Sequence, residues 1–380
     1  MRRYLEESIR EDLKDKMVFV GGPRQVGKTT VAFHLLGEGA NETHPAYLNW
    51  DVTAVKQSLL KGELPPDQKL FVLDEIHKFK GWRNLIKGFY DRHKSGKQFL
   101  VTGSARLDYY RRGGDSLQGR YHYLRLHPIM LPELGPEAGE EDIARLLSFG
   151  GFPEPFLKAE ERHYKRWRQE RLARVIQEDL IGLEHVKEVS QLDLLVHILP
   201  SRVGSVLSVN NLRQDLQVAF ETVERWILIL ENIYYCYRIS PFGLPRLKTA
   251  KKEKKLYLWD WSQCETAGAK FENLVASHLL KYCHFLQDTE GDEMQLQFLR
   301  DAQKREIDFI VVKNRKPIFA VECKTGESEL SPNISYFAAR SSIPKFYQVH
   351  LGKKDVEVAG QRARILPFTR FCRLSLPEPT

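Results

Sequence analysis

The stretch Phe19-Val-Gly-Gly22-Pro-Arg-Gln-Val-Gly27-Lys28-Thr29-Thr30 decides the fold. An apolar run, Met17–Val20, leads into Gly22-Pro23-Arg24-Gln25-Val26-Gly27-Lys28-Thr29, the spacing GxxxxGK[ST]. The residues after it, through Leu36, carry a helical pattern. Strand, glycine-rich turn and helix are the context in which that spacing cradles phosphates. Glycines let the backbone bend until its N–H groups point inward around phosphate oxygens. The helix N-terminus adds positive potential. Lys28 is expected to reach the β- and γ-phosphates and the Thr29 hydroxyl to bind Mg²⁺, with Thr30 closing the contact stretch. The ligands so predicted are ATP and Mg²⁺.

The neighbouring strands agree. In Leu70-Phe-Val-Leu-Asp74-Glu75, four apolar residues predict a buried strand whose end presents two acids. Open α/β sheets place ligand chemistry at such strand ends. Asp74 is expected to hold Mg²⁺ through water and Glu75 to polarise the attacking water, which makes the prediction a hydrolase. A further strand, Phe99–Thr102, ends in hydroxyl residues. Ser104 is the first candidate for a polar sensor of the γ-phosphate and Thr102 the second. Arg120, just before the strand Tyr121–Leu126, is a candidate for completing a neighbouring subunit's site, in competition with Arg106, Arg111 and Arg112. Strands at Met17–Val20, Ala46–Asn49, Leu70–Leu73, Gln98–Thr102 and Tyr121–Leu126 alternate with helical stretches. Residues 1–127 therefore predict an α/β domain with a mostly parallel, buried sheet.

The segment 128–156, rich in Pro, Gly and acid, reads as the start of a helical connector spanning 128–189. Within it, Arg162–Arg174 holds six Lys/Arg and one Glu. Residues 190–262 predict a winged helix: a helix over Leu207–Leu216, a second over Glu221–Glu231, then a hairpin of Tyr234–Ser240 and Leu256–Asp260. From Arg238 to Lys255 there are seven Lys/Arg and one acid. Arg246, Lys248, Lys251, Lys252, Lys254 and Lys255 are accordingly expected to make the wing tip a DNA-backbone surface.

GGPRQVGKTT, LFVLDEIHK, VTGSARLD, the Gly-Arg before the last strand and Gly150-Gly-Phe-Pro-Glu154 together resemble the AAA+ type ATPases of bacteria and archaea with a C-terminal domain of unknown function, DUF4143. The resemblance covers nearly the whole chain and implies a P-loop ATPase followed by a winged-helix and nuclease-like region. A second sensor arginine of the lid is not marked by any motif; Arg162, Arg166 and Arg168 compete for it.

Residues 263–380 predict a smaller α/β unit. Glu272 opens a helix over Phe271–Leu280, Asp308 starts an apolar strand, and Glu322-Cys-Lys324 follows on another, where alternate residues share a face. The set resembles the PD-(D/E)xK nuclease core. Asp308 and Glu322 would hold Mg²⁺ through oxygen, and Lys324 would position or deprotonate water.

The chain has 380 residues, a formal charge of +8 and 42% hydrophobic residues, which excludes a mainly disordered chain. No apolar run reaches the ~20 residues of a membrane span, and the opening MRRYLEESIREDLKDKM lacks an apolar leader core. Five scattered cysteines without a CxxC pair speak against a disulfide framework or structural zinc and for a reducing cytoplasm. The functional expectation is an ATP-hydrolysing, DNA-binding homo-oligomer, a hexameric ring being one form, acting as motor or remodeller on DNA that includes branched or Holliday-junction forms. Two alternatives stay open: an ATP-gated, metal-dependent DNA nuclease, and a signalling ATPase that binds protein only.

Overall fold

The computed structural model describes residues 1–103, 117–174, 189–243 and 254–375. The chain divides into two compact units, meeting in sequence at Pro128 and Ile129.

In the first unit the elements run α1 (Glu6–Asp12), β1 (Met17–Gly21), α2 (Lys28–Leu36), β2 (Tyr47–Asn49), α3 (Thr53–Leu60), β3 (Leu70–Asp74), α4 (Trp82–His93), β4 (Gln98–Thr102) and β5 (Tyr121–Arg125). The strands form one parallel sheet in the order β2-β3-β4-β1-β5. Every residue of β1 is buried, as is expected of a parallel sheet covered on both faces. Phe19, Phe71, Phe99, Trp82 and Ile86 build the core on one face. Because β4 lies between β1 and β3, the register sets Val20, Thr102, Asp74 and Asn49 in one row across the strand ends.

The second unit begins with helices α5 (Glu140–Phe149), α6 (Pro153–Lys158), α7 (Glu161–Arg174), α8 (Val189–Ile198), α9 (Val209–Leu216) and α10 (Phe220–Asn232). β6 (Cys236–Pro241), β7 (Lys255–Leu258) and α11 (Ala267–Thr289) follow. The rest is β8 (Met294–Arg300), β9 (Glu306–Lys313), β10 (Lys316–Lys324), α12 (Pro332–Arg340), β11 (Phe346–His350), β12 (Val356–Val358), β13 (Ala363–Pro367) and α13 (Phe368–Ser375). Ser208 caps α9 by accepting from the Asn211 N–H, and Gln217 ends it in a left-handed conformation at φ 54°. Val223, Ile227 and Leu230 bury one face of α10.

The hairpin β6–β7 continues the C-terminal sheet instead of standing apart from it. β6 pairs in parallel with β8 through Ser240↔Gln297 and Pro241↔Phe298, giving the order β12-β13-β11-β10-β9-β8-β6-β7. A division at residue 262 would cut between strands of one sheet. The connector helices also pack into this unit. The Tyr164 hydroxyl donates to Ser262 Oγ at 2.9 Å, and the Trp261 indole N–H to the Leu146 carbonyl at 2.7 Å. These contacts explain Gly150-Gly-Phe: Gly150 has φ 74°, a Cβ there would stand 2.6 Å from Asp260, and Phe152 is fully buried beneath the Arg171 guanidinium.

Candidate functional site

Two sites emerge, one in each unit. The first lies at the C-terminal end of β1. Gly22 (φ 139°) and Gly27 (φ 98°) take conformations that disfavour a side chain, and Gln25 adopts φ 61° between them. A Cβ on Gly22 would meet the Leu126 carbonyl. Lys28 begins α2 with its ammonium folded back into the loop, donating to the carbonyls of Gly22 at 3.1 Å and Pro23 at 2.7 Å. Pro23 and Val26 are buried, Arg24 and Gln25 half-buried, and Thr30 exposed.

Asp74, buried at the end of β3, gathers three hydroxyls. Tyr47 donates to Oδ2 at 2.5 Å, Thr102 to Oδ1 at 2.6 Å, and Thr29 approaches Oδ2 at 3.4 Å. Burial and the Asp74 charge hold the Tyr47 phenol well above its usual range, so it stays a donor. Oxygen donors from Thr29 and Asp74 side by side fit Mg²⁺. Glu75 sits in the left-handed region at φ 56°, its N–H bonded to the Thr102 carbonyl. Its carboxylate faces Lys78 at 3.4 Å and His77 at 3.7 Å.

Of the residues considered for sensing phosphate, Thr102 reaches Asp74, and Ser104 lies outside the described residues, as do Arg106, Arg111 and Arg112. Arg120 lies at the opposite end of the sheet from its own loop. β5 runs parallel to β1 with Met17↔Tyr121 and Gly21↔Arg125, about 13 Å of strand away. Its guanidinium grips Asp91 at 2.9 and 3.2 Å. Two residues that sequence reading missed brace the loop. Buried Arg3 donates to the carbonyls of Val26 at 2.8 Å and His127 at 2.5 Å, and the Tyr4 hydroxyl donates to that of Arg125. No local pattern announces them.

The second site lies where β7, α11, β9 and β10 meet. Glu272 does not open its helix; α11 starts five residues earlier, capped by Thr266. Lys255 is not an exposed wing cation. It is 1% exposed, on β7, with its ammonium 2.6 Å from Glu306, 3.4 Å from Glu272 and 3.5 Å from Asp308. The Tyr257 hydroxyl donates to Glu272 at 2.8 Å and the Cys323 N–H to Asp308 at 2.9 Å. Glu322 turns to Lys324 at 2.9 Å instead. Burial, then the Asp308 charge, pushes both Glu272 and Glu322 up to about 7. Burial works against the Lys255 ammonium, but Asp308, Glu272 and Glu306 outweigh it and hold it above its usual range. Among the described residues no group of three or more His, Cys, Asp or Glu side chains is arranged to hold a metal ion. With the Lys255 ammonium at the point where Glu272, Glu306 and Asp308 converge, the residues present do not fit the Mg²⁺ that a PD-(D/E)xK site implies.

The basic stretches divide differently from their sequence. Arg238 is nearly buried and held by Glu231 at 2.8 Å and Glu224 at 3.0 Å. Lys254 is half-buried. Arg246, Lys248, Lys251 and Lys252 lie outside the described residues. On α7, Arg162, Lys165, Arg166, Arg168 and Arg174 are exposed, whereas Arg171 is buried over Phe152. Among the described residues, no helix is long and apolar enough to cross a membrane.

The parallel sheet, the GxxxxGK[ST] loop and the acid pair at the end of β3 define the first unit as a P-loop ATPase domain of the AAA type. Residues 14–135 match the AAA domain family, residues 140–270 a domain of unknown function (DUF8612), and residues 267–371 the domain of unknown function DUF4143. The chain thus carries an AAA-type P-loop domain in its first unit and a DUF4143 domain at residues 267–371. Residues 190–262, the segment expected to form a winged helix within the DUF4143 region, fall in the DUF8612 match instead. An uncharacterized protein of Methanocaldococcus jannaschii, MJ1544, is 21% identical over 373 residues, covering 89% of this chain and 82% of the other. Among solved structures, the Thermotoga maritima RuvB Holliday junction branch migration motor is 17% identical, with a TM-score of 0.29, over 62% of this chain and 88% of that one. A signal transduction ATPase with numerous domains and a tetratricopeptide repeat sensor, from Pyrococcus horikoshii, is 12% identical, with a TM-score of 0.24, over 76% of this chain and 48% of that one.

Proposed function

We propose that the chain hydrolyses ATP in a homo-oligomer and engages DNA through backbone contacts, as a motor or remodeller. The observation that carries the ATPase reading is the cluster at the strand ends: Lys28 folded into its loop, with Thr29, Thr102 and Tyr47 gathered on buried Asp74. On nucleotide entry the loop N–H groups take the phosphates and Lys28 exchanges two carbonyls for the β- and γ-phosphate oxygens. Mg²⁺ held by Thr29 and Asp74 would neutralise developing phosphate charge. Glu75 leaves Lys78 to orient and polarise the attacking water. Arg120 would leave Asp91 to stabilise charge in a neighbour's site, and Ser104 would sense the γ-phosphate.

The DNA role rests on the five exposed cations of α7, a surface suited to phosphates. A second reading, a protein partner, is favoured by α10. Its exposed side presents Phe220 and Leu228 with Glu221 and Arg225, not a run of cations. One experiment separates them: ATP turnover and mobility shift of the purified chain with duplex, single-stranded and four-way-junction DNA, repeated across salt concentrations. Salt-sensitive DNA binding that stimulates turnover supports the first reading. Turnover indifferent to every DNA, with no shift at low salt, refutes the DNA role and leaves the protein-partner reading.

A further inference from the structure

We infer that Lys255 is the resident cation of the nuclease-like site, its ammonium standing among Glu272, Glu306 and Asp308 where a divalent ion would have to sit, so that the wild-type site takes no metal. Three carboxylates from two elements converge on one nitrogen at 2.6–3.5 Å. A hard divalent ion needs oxygens at roughly 2.0–2.6 Å. The ammonium and such an ion cannot share that point.

The lysine is also fixed from behind. Its backbone pairs with Ile239 of β6 and bridges to Val206, so the strand holds it on both sides. Burying an ammonium is costly unless carboxylates surround it. That cost pins Lys255 to this set of acids and the acids to it. Other lone pairs are taken by protein donors: Tyr257 on Glu272 Oε1 and the Cys323 N–H on Asp308 Oδ2. Gly204, at φ 74°, would bring a Cβ to 3.0 Å from the second Glu272 oxygen. The loop at residue 204 thus closes over that side of the carboxylate.

The two acids expected to share a metal are divided between two lysines. Asp308 faces Lys255, and Glu322 faces Lys324. Glu322 is 5% exposed, and its second oxygen, Oε2, has no hydrogen-bond partner. A buried carboxylate oxygen left bare is one a cation could claim if the neighbouring charge were withdrawn. The inference follows: the site is a latent cation site that the chain fills with its own ammonium, tying β7 to α11 and β9. Deleting that ammonium should open it to a divalent ion.

The test is Mn²⁺ uptake by the full chain without nucleotide, read as loss of the free-ion EPR signal, in wild type, Asp308→Asn, Lys255→Met and the Lys255→Met/Asp308→Asn double variant. Subtracting the Asp308→Asn variant removes uptake elsewhere. Wild type is expected to show no uptake that depends on Asp308. Lys255→Met is expected to take up one additional ion per chain and to lose it when Asp308→Asn is added. If Lys255→Met does not fold by circular dichroism, Lys255→Met/Glu306→Gln removes one of the repelling carboxylates and replaces it. Asp308-dependent Mn²⁺ uptake by wild type overturns the inference. So does a folded lysine variant that takes up none.

Discussion

Replacing Tyr47 by Phe isolates one oxygen atom at the heart of the first site. The hydroxyl donates to Asp74 Oδ2 at 2.5 Å, while the ring packs edge-on against Phe33 at 4.9 Å, a contact the substitution leaves in place. Without it, Oδ2 keeps only Thr29 at 3.4 Å, beyond good hydrogen-bond length. A hydrogen bond to a charged group contributes about 1.5–3 kcal/mol. Asp74 is 6% exposed, so water replaces the lost donor poorly and the upper half of that range applies. At about 3–5 °C per kcal/mol for a unit of this size, the melting point should fall by about 10 °C. Differential scanning calorimetry reads it, taking the transition of the first unit as the one that Mg²⁺ and ADP raise. Nucleotide affinity should change little, because the freed oxygen is the one offered to the ion. A melting point within about 2 °C of wild type would show that the bond contributes nothing. A loss of nucleotide affinity beyond about tenfold would show that Tyr47 serves the nucleotide and not Asp74.

Lys28→Ala should abolish ATP turnover, and Glu75→Gln should lower it by about 10²–10⁴-fold while still binding ATP, checked by phosphate release and equilibrium nucleotide binding. Normal turnover in Glu75→Gln would refute the water-polarising role. Changing Arg162, Arg166 and Arg168 together to Ala should weaken DNA binding uniformly across sequences and reduce the salt slope by about 1 for each lost phosphate contact, measured by fluorescence anisotropy. In the second unit Glu272 and Glu322 ionise higher in the folded chain than their ordinary 4.5, near 7. The folded state therefore holds more protons between those values, and stability falls as pH rises through that window. Urea midpoints taken at pH 5 and pH 8 should differ in that sense, and Glu322→Gln should flatten the difference.

Much of the first unit was legible because its strands are apolar throughout and its loop has a fixed spacing. The strands predicted from Met17, Leu70, Gln98 and Tyr121 lie within a residue of those observed. Sheet order was not legible, since nothing in β4 states that it slips between β1 and β3. For the same reason the gathering of Tyr47 and Thr102 on Asp74 could not be read: the partners lie 27 and 28 residues away and meet only through register. Arg3 is a harder case, bonded to carbonyls 23 and 124 residues on, where any side chain supplies the acceptor. Lys255 looks exposed in sequence because its charge groups with Lys251, Lys252 and Lys254, yet it shares strand phase with Tyr257, which reaches Glu272 from the same side. A lysine in phase with buried strand residues is a signal for an internal ion pair.

The same distinction changes what the net charge of +8 means. A cation contributes to polyanion binding only by neutralising phosphates and releasing their counterions. Arg238 is committed to Glu224 and Glu231, Lys255 to three acids, and Arg171 lies beneath the surface against Phe152 and Asp260. Both ends of the stretch that looked most basic are thus internal. Among the described residues the exposed cations of α7 have no buried acid as partner: Lys165 has an i,i+4 partner in exposed Glu161, and Arg168 rests over Tyr164. If DNA is the partner, α7 must carry a larger share of the salt dependence than its sequence charge suggested, and Arg238→Ala should lower stability without changing the salt slope. A salt slope that fell with Arg238→Ala in a folded chain would contradict the assignment of that guanidinium to Glu224 and Glu231.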